Sequence, residues 1–556
     1  MSDPLAEMLA RRRSSPQAVF AEQMPLAAAA IRKRDDLAAR DAVAKLPLEP
    51  IGEQVLPTFD RSAASSAIAQ ANVLTCGFPA SPGAAVGRLA FTAQDAIDRA
   101  AKGEIVILVR PETFAGDMEA MRQCAGVLTT TGGMMSHAAV IARGWGKPCV
   151  SGAAEIRLDV KKGTLRVAGR TFTAADTLAM DGATGEVFDR AIPMRSAELS
   201  ADLKTVLKWA DKHARLTVLG NADSPAEAML ARQLGAKGIG LCRTEHMFFE
   251  PRRLLTLRRM ILAQTPEQRA AALDELQPYQ KEDFAGMFRA MDGLPVTIRL
   301  LDPPLHEFLP HDGDALTELA RALKLPLKQV RSRTAALRET NPMLGHRGCR
   351  LCVTWPVILR MQVGAIAQAV METRAEGCDA RAAILHPLVS AAGEMRFLRE
   401  QSLQTVEETK QKQRRRGKLA IPIGAMIETP RAALIAHDLA AHADFLSFGT
   451  NDLTQLAFGF SRDDAGAFLP GYLEQGLLPA DPFDAMDIDG VGELMRLAVE
   501  NARRVKPAIP IGVCGEHGAR ADTIALCEKL GMDYVSCSPF RIPAARLAAA
   551  QAVACG

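Results

Sequence analysis

Short apolar runs recur through residues 205–556, each ending in polar or small residues and followed by a helical stretch. They are Leu216–Leu219, Gly238–Cys242, Val296–Leu301, Cys349–Val353, Ile384–Leu388, Ile421–Ile427, Phe445–Phe448 and Ile509–Cys514. Apolar runs of this length with helices between them read as parallel strands buried on both faces. Eight of them predict a (β/α)8 barrel with insertions. Reacting groups in such barrels sit at the C-terminal ends of the strands, so the residues just after each run carry information about chemistry. The chain places there Asn221, Arg243-Thr244-Glu245, Asp302, Glu428, Gly449-Thr450-Asn451-Asp452 and Cys514-Gly515-Glu516, with Arg299 inside its own run.

Residues 75–195 have a different texture. They are rich in glycine and carry β-type runs at Gly87–Phe91, Glu104–Val109, Gly126–Leu128 and Pro148–Ser151, with a helix expected over Ala138–Arg143. The pattern predicts a compact α/β domain. Residues 1–74 show apolar positions at helical spacing around Leu26–Val43, then Pro47, Pro50 and Pro57. They read as helices and an irregular connector. The expected division is therefore 1–74, 75–195 and 205–556.

Composition narrows the function classes. The chain has 556 residues, with 48% hydrophobic and 24% charged, the proportions of a folded globular protein rather than a disordered or fibrous one. Lys and Arg total 67 against 64 for Asp and Glu, a net charge of +3. That balance is too even for a nucleic-acid or membrane surface, so neither partner is expected. No apolar stretch approaches the roughly 18–20 residues of a membrane span, and Met1–Arg13 lacks the apolar core of a secretory signal. Eleven cysteines with one Cys-x-x-Cys pair, Cys349 and Cys352, read as reduced, mostly buried thiols of a cytoplasmic protein rather than a zinc site.

The densest motif is Gly132-Gly133-Met134-Met135-Ser136-His137-Ala138-Ala139-Val140-Ile141-Ala142-Arg143-Gly144. The glycines permit unusual backbone angles, and Ser136 suits an N-cap. His137 is then expected at a helix N-terminus, where N–H groups and the dipole favour an anion. A neutral imidazole is a competent nucleophile near neutrality. An isolated histidine would be read as structural; the surrounding residues change that reading.

The order of those residues resembles the phosphohistidine motif of phosphoenolpyruvate-utilising enzymes. Pro79-Ala80-Ser81-Pro82-Gly83-Ala84-Ala85 and Gly146-Lys147-Pro148 are similar to the flanks of the same swivelling domain. In the barrel, the resemblance is to the pyruvate, phosphate dikinases. It rests on Gly238–Phe249, Arg299–Pro310, Asn341–Gly348, Ser447–Gln455, Phe460–Gly466 and Cys514–Gly518, and covers roughly residues 47–556. The enzyme that synthesises phosphoenolpyruvate and the sugar-transport enzyme I share the architecture; Phe460-Ser461-Arg462-Asp463-Asp464-Ala465-Gly466 favours the dikinases among the three.

The resemblance implies a swivelling phosphohistidine domain followed by a phosphoenolpyruvate- and pyruvate-binding barrel. Arg243 and Arg299 suit phosphate or carboxylate oxygens. Glu428 and Asp452 are implied ligands of Mg2+, a hard cation that takes one or two carboxylates plus substrate oxygens. Gly449, Thr450, Asn451 and Asp452 are implied to hold substrate, Cys514 to carry the proton step, and Asp302, Glu516 and His517 to support the pocket. A homodimer is implied through the barrel.

The chain departs from the dikinases in three ways. Only about 74 residues precede the swivelling domain, so the nucleotide-binding (ATP-grasp) unit is expected from another chain or not at all. Thr131 stands where an arginine is usual, weakening contact with a phosphoryl donor. Met135 stands where some members carry a regulatory phosphothreonine, so that control is expected to be missing. The leading reading is a dikinase-like phosphotransferase working between phosphoenolpyruvate and His137. An enzyme I-like relay to a carrier protein and a non-catalytic phosphoenolpyruvate sensor stand beside it.

Overall fold

The structure is a computed structural model that describes residues 16–59, 72–114, 117–133, 137–195, 199–310, 313–415, 417, 419–462 and 464–555; the side chains of His137 and Glu516 also lie outside the described set. Two compact units divide the chain, Met1–Lys212 and His213–Gly556.

The first unit opens with two helices, α1 (Pro16–Arg32) and α2 (Asp36–Ala44), the second capped by Asp35, whose side chain accepts from the Ala38 amide. An eight-stranded mixed sheet comes next. Its strands are β1 (Val73–Cys76), β2 (Phe78–Ser81), β3 (Ala84–Ala90), β4 (Val106–Arg110), β5 (Gly126–Thr129), β6 (Cys149–Ser151), β7 (Thr177–Asp181) and β8 (Glu186–Phe188), in the order β1-β8-β7-β3-β4-β5-β6-β2. The central four, β3 to β6, run parallel.

On β4, Ile107 and Val109 enter one core while Val106 and Leu108 enter another. Burial on both faces is why this strand reads as an unbroken apolar run. The antiparallel strands and a small sheet (Arg157–Asp159, Thr164–Val167, Arg170–Thr173) are short and carry exposed or half-exposed positions, so an apolar-run search passes over them.

The helix expected over Ala138–Arg143 is present as α3 (His137–Trp145), which buries Ala138, Ala139 and Ala142 against the sheet. The loop before it is tied down at its described end. The Thr131 hydroxyl donates to the Pro111 carbonyl at 2.8 Å and Ser151 Oγ to the Gly133 carbonyl at 3.1 Å. A Cβ on Gly152 would stand 2.3 Å from the Gly132 carbonyl oxygen, so that close approach requires glycine. Met134, Met135 and Ser136 lie outside the described residues.

The second unit is a closed parallel barrel. Its strands are β9 (Thr217–Asn221), β10 (Ile239–Arg243), β11 (Pro295–Arg299), β12 (Arg381–His386), β13 (Ile423–Ile427), β14 (Leu446–Phe448), β15 (Ile511–Val513) and β16 (Tyr534–Cys537), in chain order around the circle. Helices of this unit include α4 (Pro266–Ala290), α5 (Cys349–Thr354), α6 (Pro356–Ala375), α7 (Ala392–Lys412) and α8 (Thr450–Phe458).

Seven of the eight expected strands are present; the eighth is a helix. Cys349–Val353 forms α5, with Cys349 and Cys352 both buried on one side at the i,i+3 spacing of a helix. The strand it displaces from the count is β16, Tyr-Val-Ser-Cys. Its Ser536 donates to Asn221 Oδ1 at 2.5 Å, so the barrel is locally polar there and gives no apolar run.

The basic run that starts at Arg414 lies beyond the end of the helix before it. Helix α7 stops at Lys412, with Lys410 and Lys412 in its last turn, and the chain turns at Arg414 with φ of 52°. Among the described residues no helix is long and apolar enough to cross a membrane.

Candidate active site

A cavity of about 280 Å³ opens where the barrel strands end. Arg243 and Arg299 terminate adjacent strands in register. Glu428 comes directly after β13, Gly449 after β14, and Cys514 after β15. All five line the cavity with Asn451 and Asp452. With Asn221, Glu245, Asp302 and Gly515, eleven of the residues expected at the barrel's strand ends line one space.

Two arginines side by side would repel, and the fold interleaves carboxylates between them. Asp223 holds Arg243, accepting from its backbone N–H at 2.7 Å and its Nε at 3.2 Å, and it also meets His246 Nδ1 at 2.7 Å. Arg299 donates to Glu245 and pairs with Asp302 at 2.9 Å. Arg347 continues the ladder, donating to Asp302 at 2.7 Å and to Asp452 at 3.2 Å. Arg299 and Arg347 are only 8% and 7% exposed, so these are charge-assisted bonds in a poorly solvated place.

The ladder does not reach Glu428. Its side chain is 0% exposed; one oxygen accepts from the Leu388 amide, and Oε2 is buried without a partner among the described residues. Burial, then the nearby Asp452 and Asp302 carboxylates, push its carboxyl well above the ordinary range. Burial also raises Asp452, whereas Arg299 and Arg347 overcome the burial of Asp302 and hold it low. An orphaned carboxylate oxygen beside a second raised carboxylate is the environment a hard divalent cation would resolve. The described residues include no cluster of three or more His, Cys, Asp or Glu side chains placed to hold a metal. The Glu428–Asp452 pair suits an ion that completes its shell with water and substrate oxygens, as Mg2+ does.

Gly449 makes room for that pair. A Cβ there would meet Glu428 Oε2 at 2.6 Å and Glu428 Cβ at 2.9 Å. Gly449→Ala is expected to displace the Glu428 carboxylate and raise the half-saturating Mg2+ concentration about tenfold or more. Mg2+ titration of thermal stability checks this, and an unchanged midpoint would refute it.

Cys514 is 1% exposed, and burial pushes its thiol up to about 11. Its backbone carbonyl accepts from Asn221 Nδ2 at 3.2 Å. Thr450 does not line the cavity. It is wholly buried, and its hydroxyl lies 2.9 Å from His517 Nδ1. His517 Nε2 faces the Pro482 carbonyl at 3.1 Å. A carbonyl only accepts, so Nε2 carries the proton, and in the neutral ring Nδ1 accepts from Thr450. Thr450 and His517 therefore brace the cavity wall, and a Cβ on Gly515 would collide with Thr450 Oγ1 at 2.0 Å. Asp302 lines the cavity; the Glu516 side chain lies outside the described residues. His137 starts α3 in the first unit, and its side chain is likewise outside them.

Sequence reasoning assigns no role to Arg347, Glu245, Asp223 or His246. Arg347 comes after no strand, which hides it from a search of strand ends, although its segment Asn341–Gly348 stands out as a motif. Asp223 and Glu245 lie two residues beyond β9 and β10, where spacing alone does not show that they hold the arginines.

Residues 197–554 match the family described as PEP-utilising enzyme, PEP-binding domain, and residues 103–185 match the PEP-utilising enzyme mobile domain. The chain is 46% identical over 513 residues to pyruvate, phosphate dikinase of Clostridium symbiosum, covering 92% of this chain and 58% of that protein. It is 50% identical over 489 residues to the chloroplastic pyruvate, phosphate dikinase of Mesembryanthemum crystallinum, covering 86% and 51%. To the pyruvate, phosphate dikinase of Rhizobium meliloti (strain 1021) it is 47% identical over 517 residues, covering 92% and 56%. The chain spans about half the length of the curated relatives it matches. The family match runs the length of the barrel unit, and the chain belongs to the phosphoenolpyruvate-utilising enzymes.

Proposed function

We propose that this chain transfers a phosphoryl group between phosphoenolpyruvate and His137, releasing or consuming pyruvate with Mg2+ bound. The observation that carries the reading is the cavity itself. Arginines line it, the unpartnered Glu428 oxygen lies near the Arg347-bound Asp452, and the Cys514 thiol completes the wall. Phosphoenolpyruvate presents matching groups: a phosphate, a carboxylate and a latent enolate.

Arg243 and Arg299 take phosphoryl and carboxylate oxygens in their guanidinium forks. Arg347 keeps Asp302 and Asp452 in place. A nitrogen of His137 forms the new bond to phosphorus as the phosphorus–oxygen ester bond breaks, and the electron pair stays on the enolate oxygen. The Cys514 thiol then gives its proton to the enolate carbon, which becomes the pyruvate methyl. Bound Mg2+ would supply charge stabilisation for the enolate oxygen. Phosphohistidine is left as product, so a nucleotide-dependent unit, in this or another chain, or a phosphoryl-carrier protein has to exchange with it. A cytoplasmic homodimer is the assembly we propose.

Isotope exchange between labelled pyruvate and phosphoenolpyruvate, with Mg2+ and no nucleotide, tests the reading. Exchange is expected in the wild type and is expected to vanish in His137→Ala. A folded wild-type protein that binds phosphoenolpyruvate yet shows no exchange would overturn it in favour of a sensing role.

A further inference from the structure

The strand end that carries Arg299 and Asp302 is held from outside the barrel. Leu300 N–H makes the barrel's bond to the Leu385 carbonyl at 3.1 Å. Leu301 N–H, the next amide, points away from the ladder and donates to Gln362 Oε1 at 2.9 Å. Gln362 lies on α6 and is 0% exposed. Its Nε2 donates to Gln280 Oε1 at 3.3 Å, from α4. Gln280 is itself 1% exposed, and its Nε2 is buried with no partner among the described residues.

Donor and acceptor chemistry sets the direction of this relay. A backbone N–H can only donate, so Gln362 must present its oxygen to Leu301. Its amide nitrogen then faces Gln280, which must present its own oxygen, and the Gln280 nitrogen is stranded. A stranded buried donor is costly, and two apolar side chains of the same volume would avoid that cost. The orientation of both amides is dictated from the site outward. On the inner side, Gly348 N–H donates to the Asp302 carbonyl at 2.8 Å, so the turn is clamped from two directions.

We propose that Gln362 is a positioning residue, oriented by Gln280, that fixes the Arg299–Asp302 turn through the Leu301 amide. This rests on the proposed half-reaction only for its effect on turnover. Without the acceptor, Leu301 N–H is unpaired, the turn shifts, and Asp302 no longer sets Arg299 and Arg347 against the substrate. Supporting residues of this kind typically carry ten- to hundredfold effects, and small misplacements of reacting groups have effects of similar size.

The test compares Gln362→Met, Gln362→Glu and Thr373→Val in the full chain. Thr373 is buried on the same helix, and its hydroxyl donates to the Ala369 and Val370 carbonyls of that helix, so Thr373→Val perturbs α6 without touching the turn. Two readouts are taken: hydrogen–deuterium exchange of the amides over Leu300–Asp302, and phosphoenolpyruvate–pyruvate isotope exchange.

Gln362→Met is expected to lose at least tenfold amide protection in the turn and about tenfold or more of the maximal isotope exchange. Thr373→Val is expected to change neither by more than about twofold. Gln362→Glu can accept from Leu301 and, protonated in its buried site, donate to Gln280; it is expected to recover most of both, which also covers the case in which the Met variant fails to fold. Wild-type protection and exchange in Gln362→Met, or equal losses in Thr373→Val, would overturn the proposal. A wild type without isotope exchange would fail the functional reading, and the amide readout would still decide whether Gln362 holds the turn.

Discussion

Replacing Glu428 by Gln is expected to raise the thermal midpoint of the metal-free protein at neutral pH while reducing isotope exchange at least a hundredfold. Both effects come from one carboxylate. Its burial, with Asp452 and Asp302 beside it, raises its folded pKa above the unfolded value. Below the ordinary carboxylate range the group is protonated folded or unfolded and imposes no penalty. As pH rises above that range the unfolded chain ionises freely while the folded chain resists, so folded stability falls. Gln removes the penalty, can still accept from the Leu388 amide, and turns its amide nitrogen toward carboxylates able to accept. An increase of about 2 °C or more is expected.

Mg2+ inverts the ranking. An ion that binds only the folded wild type adds about 2.7 kcal/mol at one hundred times its dissociation constant, and the Gln variant lacks half of the carboxylate pair that would take it. Thermal melts at several pH values with and without Mg2+ measure both halves. A lower metal-free midpoint in the variant, or the same Mg2+ shift in both proteins, would remove Glu428 from the metal reading.

Which features are legible in the sequence depends on how each is buried. Barrel strands such as Ile423–Ile427, buried at every residue, announce themselves as apolar runs. Tyr534–Cys537 does not, because Ser536 meets Asn221 inside the barrel; Cys349–Val353 imitates a strand, because the buried side of a short helix is equally apolar. The site divides in the same way. Arg243, Arg299, Glu428, Asp452 and Cys514 are legible because the fold puts chemistry at strand ends. Thr450 also belongs to a strand end, yet its side chain turns inward to His517, a distinction no spacing rule carries. Arg347 reaches the cavity from a loop, and its importance rests on pairing with Asp302 and Asp452, which are distant in sequence. Gln362 lies in the middle of an outer helix, where a polar residue flanked by buried apolar ones gives no sign of its partner.

Cys514→Ala is expected to separate proton transfer from phosphoryl transfer. A thiol pushed up to about 11 by burial is almost fully protonated near neutrality, which suits it to donate to an enolate. In the reverse direction it must first become a thiolate, and the thiolate fraction rises tenfold per pH unit below that value. Wash-in of solvent deuterium into the pyruvate methyl is therefore expected to climb with pH across the neutral range in the wild type. In Cys514→Ala it is expected to fall by about 10²–10⁴ and lose that slope. Transfer of labelled phosphate from phosphoenolpyruvate to the protein is expected to fall far less, because the enol released can reach pyruvate in water unaided. Single-turnover labelling beside deuterium wash-in reads the two steps separately. Equal losses in both would show that Cys514 shapes the cavity, and an unchanged wash-in would place the proton donor elsewhere.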